Sequence, residues 1–495
     1  VKRLVPFVVL ALVIAATAAI TSIGLMDVLT GTGWAYAVEF LGRALPLDFP
    51  PMDEVLALSA RTLSIAGTAT LLSVLISVPL ATLAAHNTTP HKAARTTSRA
   101  VIAVARALPD VILAIVFFRV FGLGATAGVL AMGLHSVGMV GKLYADALEQ
   151  TDPGPATAVR ATGATRTQTL LAAVIPQATP AFIATALHRF DINLRVSVLL
   201  GFVGVDGLGL ATATALRRLD YQRGLALAVV ILALCVLLEL VSGLLRRAAL
   251  STRRGWGLTG ALFAGLATVA MLIGADLSLG DGLGRLGATA ELFWPPIAPT
   301  GVFADLLATV RMALAATALG ALLAVPLGVL AARNVLPRAG GVFRAFIVLV
   351  RGIPELVLAI VLVVITGIGE AAGTLALAVG AAGLLGKLIA DSVEEVDPRI
   401  EEAVRATGAG RWQVFCAATL PQAAQAMTGH LLYQLDVNVR AATLLGLVGA
   451  GGVGFVLLNS ARVLEFGAVT TVLTLLLGVV LLIELLALWL RRAAA

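Results

Sequence analysis

Cysteine, aromatic residues and charge are all scarce in this chain, and each shortage removes a class of function. The two cysteines, Cys235 and Cys416, lie in or beside apolar runs with no CxxC spacing and no neighbouring histidine pair, which points away from a disulfide scaffold or a zinc site. The five histidines, His86, His91, His135, His188 and His430, show no HExxH or other compact ligand spacing. No Walker sequence is present. Glycines precede Lys142 and Lys387, but Ser136 and Ala381 stand where a phosphate loop needs its first glycine, and leucine follows where it needs Ser or Thr. The stretch from Gly449 to Gly454 satisfies GxGxxG, yet it follows an apolar run rather than a strand, so it reads as a glycine-rich turn. Only 13% of the residues are charged against 59% hydrophobic. A soluble globule has an apolar fraction of roughly 45–50%, so this chain is read as a bilayer protein. Weak period-2 alternation argues against a β-barrel.

What is present is a set of long apolar runs. Crossing about 30 Å of hydrocarbon takes roughly 20 helical residues. On that measure six spans fall near 4–25, 56–85, 100–121, 124–148, 172–203 and 222–245, and six more near 257–275, 303–332, 342–367, 370–393, 416–448 and 467–490. The start, Lys2-Arg3 and then an apolar run, has the form of a signal peptide. Its counterpart near 257–275 is internal, so the first span is read as a retained signal-anchor.

The chain is duplicated. TDPGPATAVRATGATRTQTLLAAVIPQ, from Thr151 to Gln177, returns as VDPRIEEAVRATGAGRWQVFCAATLPQ, from Val396 to Gln422. The same spacing relates Gly141-Lys142-Leu143 to Gly386-Lys387-Leu388, and Asp191, Asn193 and Arg195 to Asp436, Asn438 and Arg440. A constant offset marks one ancestral unit fused to itself, here 1–248 and 249–495. An even number of spans per unit leaves both units facing the same way. The net charge of +7 collects in short loops such as His86 to Arg99 and Arg246 to Arg254. The positive-inside rule makes these loops and both termini cytoplasmic, and it replaces a nucleic-acid reading of the basic balance.

The duplicated insert begins with Asp152-Pro153 and Asp397-Pro398, the chemistry of an N-cap followed by the first helical residue. It continues through Arg160 or Arg405 to Gly163 or Gly408, where glycine permits a sharp change of direction. The expectation is a short helix, a bend and a second short helix across the entrance to a span that starts at Pro176 or Pro421.

Glu402-Ala403-Val404, then Gly408, Ala418 and Leu420-Pro421, resembles the coupling-helix motif of bacterial ABC importer permeases, with Ala418 in place of the usual Ile. DPxxxEAxRATGA, then DxNVRAATLLGLVGAGGVG from Asp436 to Gly454, is similar to the permease of phosphonate ABC transporters. So is the ArgGlyIlePro that precedes Glu355, with ArgAlaLeuPro before Asp110 in the first unit. The first unit departs from the pattern at Thr157, which stands where Glu402 does, at Ile175, and in GFVGVDGLG. The resemblance implies an all-α polytopic membrane protein, two parallel six-helix repeats with the type I ABC importer permease fold, and coupling helices near 151–170 and 396–415. It implies no cofactor in this chain, with ATP hydrolysed by two copies of a separate ATPase subunit. It also implies an extracytoplasmic solute-binding protein, a small phosphorus oxyanion (phosphonate, phosphite or phosphate) as substrate, and the bacterial cytoplasmic membrane as location. A secondary transporter of a small anion, and an ABC permease for another small solute, remain as alternatives.

The residues expected to carry this activity form three groups. Asp152, Arg160, Gly163, Asp397, Glu402, Ala403, Arg405 and Gly408 would meet the ATPase. Asp191, Asn193, Arg195, Asp436, Asn438 and Arg440 would line the substrate path, since an Asp and an Arg four apart meet on one helix face and unpaired charge facing lipid costs roughly 2.5–3.5 kcal/mol. Those pairs would either fix helix packing or also receive the anion, and Lys142 with Asp146 and Lys387 with Asp391 repeat the spacing one span earlier. Gly204, Gly209, Gly449, Gly451 and Gly452 would form mobile outer gates.

Overall fold

A computed structural model describes residues 5–23, 38–39, 42–108, 110–251, 291–446 and 448–494, with isolated residues between 257 and 287. The expected span at 257–275 lies mostly outside the described residues, as do residues 252–254 of the joint at 246–254. Among the described residues the structure is helical throughout, with no strand.

The first repeat runs α1 (Val5–Ser22), α2 (Met52–Ala84), α3 (Lys92–Ala107), α4 (Asp110–Phe121), α5 (Ala125–Glu149), α6 (Pro153–Ala161), α7 (Arg166–Thr169), α8 (Ile175–Gly201), α9 (Leu208–Arg217) and α10 (Tyr221–Ser251). The second gives α11 (Val302–Ala331), α12 (Gly340–Gly352), α13 (Glu355–Thr366), α14 (Glu370–Glu394), α15 (Pro398–Ala406), α16 (Arg411–Val414), α17 (Leu420–Gly446), α18 (Val453–Arg462) and α19 (Phe466–Ala494). Met52–Ala84, Arg166–Gly201, Tyr221–Leu245, Val302–Ala331, Glu370–Glu394 and Phe466–Ile483 are each long and apolar enough to cross a membrane.

Two expected spans, 100–121 and 342–367, are not straight. Lys92–Arg106 and Asp110–Phe121 meet at 87°, and Gly340–Gly352 and Glu355–Val363 at 73°. The cause is local. Leu108 and Ile353 precede proline, and their ψ values of 115° and 117° are extended, because the proline ring excludes the helical conformation from the residue before it. The basic stretch from Lys92 to Arg99 is thus the first part of α3 rather than a loop.

The chain packs as two compact units, Pro46–Glu291 and, separately, Val1–Leu45 with Leu292–Ala495. In the first, α2 lies along α5, and α3, α4 and α8 gather around α5. In the second, α11 and α14 form the central pair, with α12, α13 and α17 around α14. Small residues let that pair approach. A methyl added at Gly320 would come within 2.6 Å of Ala381 Cβ, and one at Gly328 within 2.8 Å of the Gly386 carbonyl. The packing boundary differs from the repeat boundary at 248. α1 belongs to the first repeat by sequence, yet it packs on α11 and α19.

The offset between repeats is not constant either. It is 245 from α5 onward, but α2 matches α11 at 247, as Thr62/Thr309, Thr70/Thr317 and Pro79/Pro326 show by occupying the same place in each unit. The difference is absorbed in the connection before α3 and α12, where the backbone makes no repeating hydrogen-bond ladder to resist it.

Candidate functional site

Each polar insert folds from its caps. The Asp152 carboxylate accepts the Gly154 N–H at 2.9 Å, the Asp397 carboxylate accepts the Arg399 N–H at 3.0 Å, and proline follows each at the first helical position. Gly163 and Gly408 both take φ of +84°, and their N–H groups bond the carbonyls of Arg160 and Arg405 at 3.0 Å. The bend therefore sits where the sequence placed it. Beyond the bend, the expected second separate helix does not form. Arg166–Thr169 passes through a π turn, Leu170–Val174, straight into α8, and Arg411–Val414 does the same through Phe415–Thr419 into α17. Pro176 and Pro421 do not begin the spans. They interrupt a helix already under way, where a missing N–H and a clash with the carbonyl four residues back are absorbed by the wider turn.

Glu402, Ala403 and Arg405 are exposed on α15, whereas Ala156 on α6 is buried. The Thr157 hydroxyl is turned inward on its own helix, donating to the Pro153 carbonyl at 2.9 Å. Glu401 accepts from Thr419 and so binds α15 to the π turn. Trp412, edge-on to Phe415 at 6.0 Å and 68% exposed, adds an aromatic surface that the first repeat lacks, since Thr167 takes its place.

Residues outside the proposed set hold these helices in place. Gln177 and Gln422 each accept the N–H of the capping aspartate, Asp152 or Asp397, at 3.1 Å. At the base of α5, Glu149 accepts the His86 backbone N–H at 2.8 Å and pairs with Arg99 at 2.7 Å, with the His86 ring 3.1 Å away. In the second repeat Glu394 accepts the Arg333 N–H at 2.6 Å and pairs with Arg344 at 2.8 Å. Asp391 reaches the same arginine, at 3.3 Å. Burial alone would raise the Glu149 carboxyl, but the His86 hydrogen bonds and the Arg99 charge outweigh it and hold the group below the usual carboxylate range. A depressed carboxyl stabilises fully above its unfolded value, so this anchor is complete near neutral pH and is lost as pH falls through the lowered value.

Deeper in the chain, both expected Asp–Arg pairs form. Arg195 bonds Asp191 at 3.1 Å, and Arg440 bonds Asp436 at 2.7 and 2.9 Å. Arg195 has a second carboxylate, Glu239 on α10, at 3.2 Å. Sequence reasoning missed it, although Glu484 lies at the same 245-residue offset and was the available signal. The Nε atoms of Arg195 and Arg440 are buried without an acceptor.

Asn193 and Asn438 do not face open space. Both are fully buried. Asn193 accepts from Ser136 at 3.0 Å and donates to Thr70 at 2.8 Å, while Asn438 accepts from Gln434 at 2.9 Å and donates to Thr317 at 2.8 Å. They tie α8 to α2 and α17 to α11. Buried Arg189, which donates to Ser136 at 2.7 Å, extends the first network where the second has Gln434.

The glycine-rich segments after α8 and α17 are packed turns rather than open loops. Gly204, Gly449, Gly451 and Gly452 have positive φ. Gly209, at −245 from Gly454, lies against the Val198 carbonyl so closely that a side chain cannot enter. Thr62 and Thr309 clamp the turns by accepting the N–H of Leu208 and Val453, each at 2.9 Å. A methyl at Gly207 or Gly452 would come within 2.5 Å of that hydroxyl, at φ of +113° or +71°. Gly207→Ala and Gly452→Ala are therefore expected to destabilise the purified chain by about 1–3 kcal/mol, read as a lowered melting temperature, whereas Gly163→Ala, in open space, loses only its backbone preference.

The sequence matches the family described as binding-protein-dependent transport system inner membrane component over residues 77–251 and again over 324–495. It is 44% identical over 471 residues to the phosphate-import permease protein PhnE of Mycolicibacterium smegmatis, covering 92% of this chain and 88% of that one. It is 41% identical over 233 residues to the phosphite transport system permease protein PtxC of Stutzerimonas stutzeri, covering 46% of this chain and 82% of that one. A chain of the inward-facing MetNI methionine ABC transporter aligns with 39% of this chain and 96% of its own length, at 25% identity and a TM-score of 0.37.

Proposed function

The chain belongs to the family of binding-protein-dependent transport system inner membrane components, and from that premise we propose that it forms the membrane pathway of a type I ABC importer for phosphonate, phosphite or phosphate. The observation that carries this reading is 44% identity across 92% of the chain, both repeats included, to a permease named for phosphate import. Two ATPase subunits dock at α6 and α15 and a solute-binding protein delivers the anion at the opposite face, with both termini cytoplasmic. ATP is hydrolysed only by the partners. Arg195 and Arg440 supply positive charge to the oxyanion in the outer half of the path, since a guanidinium fork matches phosphoryl oxygens. Asn193 and Asn438 fix the helices that carry them. The packed turns at Gly204–Gly209 and Gly449–Gly452 move as units when the outer gate opens.

Proteoliposomes containing the full complex should take up labelled phosphorus oxyanion only when ATP is supplied to the ATPase side. Uptake driven by an ion gradient without ATP would instead make the chain a secondary transporter. A binding screen of the solute-binding protein against methylphosphonate, phosphite and phosphate identifies the substrate within the class. Because two permease units are already fused, the purified complex should hold one copy of the 50.7 kDa chain with two ATPase subunits. Native mass measurement showing two copies would count against a complete pathway in one chain.

A further inference from the structure

The second repeat holds an apolar crevice of about 200 Å³ between α11, α12 and α14, walled by Leu323, Leu327, Phe346, Val350, Val379 and Ala382. Its origin is visible in the repeat itself. In the first repeat Val101 and Ala105 occupy the places of Phe346 and Val350, and α3 lies against Gly138 so closely that a methyl there would strike the Arg106 backbone nitrogen. At the matching Gly383 the nearest atom to an added methyl is the Arg351 side chain, at 2.9 Å, with the backbone nitrogen at 3.2 Å. The larger Phe346 and Val350 hold α12 away from α14 and leave the gap.

The wall contains no group that would bind a polar ligand, and burying an unpaired polar group there is unfavourable. For scale, an apolar cavity of about 150 Å³ stays dry and takes a benzene-sized molecule. Leu323 on α11 and Phe346 on α12, which line the crevice, are each half exposed, so it opens on an apolar outer face. Charge stands at one end. The connection from Ala332 to Ala339 carries exposed Arg333 and Arg338 and no acid, and Arg338 has no ion pair among the described residues. Arg344, the next basic residue, is already held by Asp391 and Glu394. Phe346 is six residues into α12, which at 1.5 Å per residue sets the crevice roughly 9 Å along the helix from this basic connection. That separation suits one molecule with a phosphate at the arginine and its acyl chain between the helices.

We propose that this crevice is a binding site for a membrane phospholipid with an anionic headgroup, its acyl chain lodged against Leu323 and Phe346 and its phosphate held by Arg338. Such a lipid fills the gap beside the bent α12–α13 span, so its retention bears on the stability of that bend and not on which anion is transported.

The test uses the full chain in vesicles. Leu323→Trp places a fluorophore at the crevice and Leu322→Trp places one on the neighbouring outward face; each is read against the parent protein, which contains five tryptophans. Brominated phosphatidylglycerol should quench the added signal of the Leu323→Trp variant with about fivefold higher affinity than brominated phosphatidylcholine, the scale expected of one basic residue near an anionic headgroup. The added signal of the Leu322→Trp variant should show no preference. Arg338→Gln, on an exposed connection where folding is not at issue, should remove the preference, and native mass spectrometry of the otherwise unchanged chain should show loss of a retained anionic lipid in the same variant. Equal quenching of the Leu323→Trp signal by both lipids would reduce the crevice to ordinary lipid contact and overturn the proposal. So would an absence of quenching there, or retention of the lipid after Arg338→Gln.

Discussion

Replacing Arg195 with Gln should abolish oxyanion uptake and lower the melting temperature of the purified complex by the largest margin of any single change at the two Asp–Arg pairs. Two effects combine. The guanidinium is the shared cation of Asp191 and Glu239, whose side chains are only 4% and 11% exposed, so its removal takes a bonded positive charge from two carboxylates in a low-dielectric interior. Breaking a buried pair costs about 3–5 kcal/mol because the remaining charge is left uncompensated. Arg440→Gln takes the cation from Asp436, which is less buried, so its stability loss should be smaller. The decisive variant neutralises the whole cluster. Asp191→Asn with Arg195→Gln alone still leaves Glu239 without its cation, so the compensating variant must also carry Glu239→Gln. Thermal melts and ATP-dependent uptake at matched membrane expression separate the roles. If the triple variant recovers stability but not uptake, the arginine serves the anion. If uptake returns with stability, the cluster is a packing device, and the substrate role assigned to Arg195 is wrong.

Changing Glu402 to Ala should reduce uptake at least tenfold while ATP hydrolysis persists, and changing Thr157 to Ala should leave both within about twofold. Glu402 is exposed on α15 and free to make a charge-assisted hydrogen bond to a docked ATPase, an interaction worth about 1.5–3 kcal/mol. Thr157 has its hydroxyl occupied by the Pro153 carbonyl and presents nothing comparable. Glu401→Ala serves as the control, because that side chain holds α15 to Thr419 and its loss should loosen the helix rather than remove a surface charge. The two measurements are the ATPase rate and transport in the same vesicles. Equal, small effects of Glu402→Ala and Thr157→Ala would show that the two coupling helices work alike.

The asymmetry was legible before any fold was known, because Glu402 and Thr157 occupy the same place in a repeated string. Glu239 was legible in principle through its match to Glu484, but nothing in its own run of sequence distinguishes a glutamate aimed at an arginine 44 residues away from one that snorkels. Gln177 and Gln422 close the repeated string and looked like its punctuation. Their function depends on the capping aspartate lying within hydrogen-bond reach across 25 residues.

The sequence by itself determined the membrane setting, the duplication, the capped and glycine-bent insert, and the two Asp–Arg pairs. These follow from composition, periodicity and contacts within four residues on one helix, interactions short enough to be written in local spacing. Only the tertiary structure decided that α1 packs with the second repeat's helices, that two spans bend by 87° and 73°, and that the glycine segments are clamped turns. It also decided that Asn193 and Asn438 tie helices together and that Arg195 has two carboxylates. Each of these depends on which helix lies beside which, and in a chain of nearly uniform apolar spans many pairings bury similar area. The choice then rests on small-residue contacts and buried hydrogen bonds between residues distant in sequence.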